Sequence, residues 1–208
     1  MIKLSQTSKM PCKSWSLPAL TTCPGSRNSD GTKVEVCQGC YATTGFYKMG
    51  AAMALRQENR YDWHRINWVS DMVELIKDDK YFRWFDSGDV FSEKLAEKIY
   101  LVSKATKNTK HWLPTRSHKV PKIKDWLNYT KRLSNMSIRY SADRINKFNK
   151  RLHGSVVTNG DKLPGVFECQ AYTRGGQCGD CRACWDKTIK VIGYPAHGYG
   201  MKRIAANV

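Results

Sequence analysis

The sequence predicts an α/β fold built from parallel βα units. Short apolar, aromatic-rich runs end in polar turns and lead into stretches of helical spacing, and this alternation recurs three or four times. No internal repeat or low-complexity tract interrupts it. The chain has 208 residues, 41% hydrophobic and 25% charged, which suits one domain with a sizeable core.

The elements follow in order. Residues 1–48 are rich in Cys, Gly, Pro, Ser and Thr and read as an extended, loop-dominated segment, with a short strand at Lys33–Val36. Gly50 to Asp79 has no proline, and Ile66, Val69, Val73 and Ile76 recur at helical spacing, predicting a long helical stretch. Tyr81–Phe85 reads as a buried strand ending in the turn Asp86-Ser87-Gly88-Asp89. Ser92 suits the cap of a helix that turns Leu95, Ile99 and Val102 inward. His111–Leu113 is the next strand. Pro121 then opens a helix whose inner face carries Ile123, Trp126 and Leu127, with Leu133 beyond. Met136–Tyr140 is a strand ending in Ser141-Ala142-Asp143-Arg144, followed by a short basic helix. Gly154–Thr158 and Thr188–Tyr194 complete the strands. The expected organisation is a single domain over 1–208, with a βα core at 49–158 and a C-terminal Cys-rich loop and last strand at 159–208. In such folds the chemistry gathers at the carboxyl ends of the strands.

Composition narrows the function. With 35 basic and 18 acidic residues the net charge is +17, which favours anionic partners. Fourteen of the basic residues and only two acids, Asp125 and Asp143, fall in 104–153, the signature of a basic face for nucleic acid or nucleotide. Arg139, Arg144, Lys147, Lys150 and Arg151, with Tyr140 and Phe148 interleaved, suit phosphate contact and base stacking. Trp63, Trp84, Trp112 and Trp126 fit the core, and Trp185 sits beside Cys184. No run approaches the ~18 apolar residues of a membrane span, and the N-terminus lacks a signal-type apolar core, so a cytoplasmic location is expected. There is no phosphate loop, dinucleotide fingerprint or Ser-His-Asp order. Of the five histidines, His197 in Pro-Ala-His-Gly stands out after the last strand.

Eight cysteines in a reducing compartment point to metal. Cys178, Cys181 and Cys184 form a CxxCxxC run to which Cys169 adds a fourth thiolate. Converging thiolates repel and need a cation. A 4Fe–4S cluster fits this run, and a four-thiolate zinc site is the competitor. The N-terminal group is Cys23 with the pair Cys37 and Cys40. Cys12 either closes that site as a fourth ligand or is a small buried residue near Trp15. With three ligands only, a cubane cluster keeps one open iron.

LSQTSKMPCKSWSLPA, CPGS, CQGCYATTGFY, FRWFDSGD, WLPTRS and SIRYSADRI together resemble the phage gene product 88 family, over nearly the whole chain. The order of the CxxCYA, SGD, WLPTR and SADR segments is also similar to proteins related to radical S-adenosylmethionine enzymes. That resemblance implies a (βα) barrel. At ~30 residues per βαβ unit the chain has room for four or five units, hence a partial or degenerate barrel with parallel strands, Cys-rich N-terminal loops and a C-terminal Cys-rich metal-binding loop. It also implies an open 4Fe–4S cluster on Cys23, Cys37 and Cys40, although the first gap of thirteen residues exceeds the usual three. S-adenosylmethionine would bind at Asp86, Ser87, Gly88 and Asp89, with Arg116, Ser141 and Arg144 placed to meet a carboxylate or ribose. Cys169, Cys178, Cys181 and Cys184 would hold an auxiliary cluster, and an electron donor would be the partner, in host cytoplasm. The expected function is a redox enzyme acting on nucleic acid, nucleotide or another anionic substrate. The alternative is a non-catalytic, metal-stapled protein, iron–sulfur or zinc, that binds nucleic acid or a host protein.

Overall fold

The computed structural model describes residues 1–208. Eight strands form one sheet: β1 (Ser5–Gln6), β2 (Lys13–Trp15), β3 (Tyr81–Trp84), β4 (Lys110–Thr115), β5 (Met136–Ser141), β6 (Gly154–Thr158), β7 (Phe167–Glu168) and β8 (Val191–Pro195). Six helices accompany them: α1 (Glu35–Gln38), α2 (Gly50–Asp62), α3 (Trp68–Ile76), α4 (Glu93–Ala105), α5 (Pro121–Lys131) and α6 (Tyr199–Ala205). The strand order is β1-β2-β3-β4-β5-β6-β8-β7, and every pairing except β1 with β2 is parallel. β1 and β7 are the two edges, so the sheet is open.

Side chains alternate across the strands. Phe82 and Trp84 of β3, Leu113 of β4 and Met136 and Ile138 of β5 face one way and join the main core. Trp68, Met72 and Ile76 of α3, Leu95, Ile99 and Val102 of α4, and Ile123 and Leu127 of α5 cover them. The opposite face carries Tyr81, Arg83, Trp112 and Arg139. There the C-terminal cysteine loop replaces helices: Trp185 packs on Tyr81 and Trp112 and donates its Nε1–H to Phe82 O at 2.9 Å. Met10, Cys12, Trp112 and Trp185 form a second, smaller core.

Several expectations are corrected. The segment Gly50–Asp79 is two helices, because Lys98 of α4 donates to Trp63 O and Arg65 O, both at 2.8 Å, and so caps the break. Ile66 falls in that break and is exposed. The inner face of α2 is polar: Asn59 bridges Lys3 and the carbonyl of Ser16. Lys33–Val36 forms no strand. Val34 and Val36 are buried against Ile145 and Met201 at the start of α1. No helix follows β5, since Asn146 bonds to Val157 O of β6 and takes a left-handed φ of 59°. The short strands β1 and β2 lie within a segment that reads as loops. Ser92 caps α4 and Pro121 opens α5 as expected.

Candidate functional site

A cavity of about 470 Å³ lies at the carboxyl ends of the parallel strands, and six of the eight cysteines line it. Cys23 reaches it through the turn that follows β2. Gly25 in that turn lies flat on β4's end, where an added Cβ would stand 2.3 Å from Arg116 O. Cys37 and Cys40 arrive on α1 and the residues after it. Val36 N–H donates to Asp143 O at 3.1 Å, which docks α1 on the end of β5. Cys169, Cys178 and Cys184 come from the C-terminal loop on the other side of the cavity.

The thiols sort into two groups. In the first group, ionising Cys37 or Cys40 would raise Cys23, and ionising Cys40 would raise Cys37. In the second group, ionising Cys169 would raise Cys178 and Cys184, and ionising Cys181 would raise Cys178. Cys12 stands with the second group, beside Cys178 and Cys184, buried among Met10, Trp112 and Trp185. The first group therefore holds three thiols. Burial pushes Cys12 and Cys23 up to about 12 and Cys184 up to about 11. Burial likewise raises Cys37, Cys40 and Cys178. Left alone these groups are neutral thiols, and a cation is what would let them ionise. As they stand, no three Cys, His, Asp or Glu side chains converge closely enough to grip an ion. The donor chemistry fits a thiophilic metal: three thiols of each group face one cavity.

The Asp86–Asp89 turn lines the cavity, but its side chains are committed to structure. Asp86 accepts from the Ser16 hydroxyl and lies 3.8 Å from Arg56 Nη2. Ser87 donates to Leu17 O at 2.7 Å and accepts from Arg56 Nε at 2.6 Å. Gly88 has φ 75°, and a Cβ there would meet Leu17 Cβ at 2.6 Å. Asp89 accepts from Val90 N and Arg116 N at 2.7 and 2.8 Å and so fixes the end of β4. Burial raises its carboxyl, against those bonds. Arg116 lines the cavity and donates to Ala142 O at 2.8 Å, with Asp143 3.5 Å away. Ser141 lines it as well. Arg144 does not: it is exposed in a separate depression with Lys147. Arg139 is no phosphate contact either. It is fully buried and donates to the carbonyls of Ala183, Cys184, Asp186 and Ile189 at 2.8–3.0 Å.

Sequence reasoning missed three cavity residues, Tyr41, Tyr172 and Arg83. Tyr41 donates its hydroxyl to Asp86 O and stacks near His197. Tyr172 is 2.8 Å from His197 Nδ1 and lies beneath Lys9. Arg83 is the most informative. Its guanidinium stands over Trp112 at 4.5 Å, and its buried Nε has no partner. Asp86, whose charge acts on it, is ion-paired with Arg56 instead. The inward position of Arg83 in an alternating strand was the available signal.

The sequence model of the gene product 88 family matches residues 2–187. The chain belongs to the gene product 88 family. No curated protein and no solved structure matches it. No helix is long and apolar enough to cross a membrane.

Proposed function

We propose that this gene product 88 protein is an iron–sulfur enzyme of radical S-adenosylmethionine type, acting on an anionic substrate held in the cavity. The observation that carries the reading is the sorting of the thiols. Cys12 stands apart from Cys23, Cys37 and Cys40, and a three-thiol set is the one that leaves a metal coordination position for a ligand. Held by those three, a 4Fe–4S cluster supplies one-electron chemistry at an open iron. Cys169, Cys178, Cys181 and Cys184 would hold a second cluster or zinc.

The chain's own residues supply the rest. Arg83 offers a desolvated cation with no carboxylate of its own, and such a charge is costly unless a ligand pairs with it. Arg116 offers a second cation across the cavity. Tyr41, Tyr172 and His197 wall one side and limit water, which strengthens those charges. Ser87 and Gly88 hold the turn against the β2 connection, leaving backbone groups to meet a ligand.

The test is iron, acid-labile sulfide and zinc per chain in protein purified without oxygen. About eight iron and eight sulfide are expected for two clusters, and about four of each for one. Cys37→Ser should remove the N-terminal share and Cys12→Ser should leave it intact. Adding S-adenosylmethionine to reduced protein should perturb the EPR signal. Zinc without sulfide, or loss of the N-terminal metal in Cys12→Ser, would refute the reading and leave a metal-stapled binding protein.

A further inference from the structure

Beside the cavity lies a depression of about 440 Å³ at the carboxyl end of β5, over the first residues of β6 and β8. The two hollows share Ser141, Ala142 and Ser155 as a common wall. Arg144 and Lys147 stand on the rim, joined by an antiparallel bridge across a tight turn. Asn146 inside that turn has φ 59°, and its side chain is tied to Asn159 at 2.8 Å, so the turn is braced against the end of β6. Neither cation has a carboxylate partner. The depression's one acid, Asp143, is already paired with Lys119 and Arg116. Tyr140 and Phe148, both half-buried, supply aromatic wall.

We infer that this depression binds a nucleoside phosphate, with the phosphate on Arg144 and Lys147 and the base against Phe148 and Tyr140. Two unpaired cations beside an aromatic wall suit a phosphate carried by a base better than a lone carboxylate, because the phosphate can engage both cations while the base stacks. The position fits in part: Arg144 and Lys147 follow the carboxyl end of β5, the end of a strand at which parallel α/β sheets bind ligands. A ligand seated here would extend past Ser141 toward the thiol-lined cavity. The inference thus names a substrate class for the site proposed above and rests on that reading only for what happens in the cavity. Free nucleotide and single-stranded nucleic acid present the same chemistry.

The experiment is equilibrium binding of a labelled 12-nucleotide oligothymidylate to the full-length protein by fluorescence anisotropy, with thymidine monophosphate as competitor. Arg144→Glu with Lys147→Glu should weaken binding about tenfold or more. Lys107→Glu with Lys124→Glu, the same charge change elsewhere on the surface, should cost under about threefold. Arg144→Ala with Lys147→Ala should flatten the slope of log affinity against log salt by about one to two. Phe148→Ala should cost about fivefold or more and leave that slope unchanged. Competition by the monophosphate at matching concentration identifies a free nucleotide as the ligand, and binding of the 12-mer alone identifies a single strand. Equal loss in the two charge-reversed pairs, or binding of neither probe, would overturn the inference. Binding here needs no metal, so absence of iron would refute the enzyme reading without touching this result.

Discussion

Arg139→Met tests how the cysteine loop is held. Arg139 lies on β5, is fully buried, and its guanidinium makes four bonds of 2.8–3.0 Å to the carbonyls of residues 183–189. Methionine keeps the stem and much of the volume, so the loss is mainly polar. A hydrogen bond to a charged group contributes about 1.5–3 kcal/mol net. Four would sum to more than is recoverable, because burying the guanidinium has its own cost and the freed carbonyls of a surface loop regain water. We expect a net loss of about 3–5 kcal/mol, or roughly 10 °C in Tm at this chain length. Urea unfolding followed by far-UV circular dichroism reads the stability. Amide exchange reads the location, which should be residues 183–189 together with the neighbouring Cys178 and Cys181. A loss below about 1 kcal/mol, or faster exchange spread evenly over the sheet, would refute the idea that this one side chain anchors the loop.

Gly88→Ala should cost about 2–5 kcal/mol, from a left-handed φ of 75° and a Cβ pressed to 2.8 Å from Leu17 O, and thermal unfolding reads it. Ser92→Ala removes the bond from Leu95 N at 3.2 Å and should cost about 1 kcal/mol by the same assay. His111 is buried, and burial lowers it to about 3 from its ordinary 6.5, so it is neutral in the fold and takes up a proton on unfolding. Its contribution is complete above pH 6.5 and is lost as pH falls toward 3, about 2 kcal/mol of it by pH 5. Burial lowers His118, His153 and His197 in the same direction. Stability measured from pH 7 to 5 should therefore drop, and drop less steeply in His111→Gln. Equal slopes would show that His111 does not carry that share.

Strands β3 to β6 were legible because each is a short apolar run closed by a polar turn, and their carboxyl ends do converge on one cavity. Helices α4 and α5 were legible from Ser92 and Pro121 and from clean apolar spacing. What was not legible depends on long-range polar contacts. The break between α2 and α3 is made by Lys98, 33 to 35 residues away in sequence. The polar inner face of α2 has no hydrophobic period to detect. In the candidate site, the cysteines were readable from spacing alone, but the place of Cys12 was not: it follows from Trp112 and Trp185, which meet only in the folded sheet. Arg139 and Arg144 sit five residues apart in one basic stretch, and composition cannot tell a buried anchor from an exposed rim. Pleat alternation separates them, since Arg139 points inward from β5 and Arg144 lies past its end.

The cysteine loop explains why the cavity is confined to one end of the sheet. Helices cover one face, and on the other Trp185, Trp112, Met10 and Cys12 pack together over the strands. Cys178 N–H donates to Lys9 O at 2.9 Å, so the loop also ties the sheet's last strands to its first. The loop is thereby stitched to the open sheet by backbone and packing, without strand pairing. The stitch carries Cys169, Cys178 and Cys184 to the side of the cavity opposite Cys23, Cys37 and Cys40. A metal on the C-terminal group would therefore do two things at once: neutralise its thiolates and lock the contact that shapes the cavity. Under that arrangement Cys178→Ser alters substrate affinity even if the reacting group sits wholly on the N-terminal thiols.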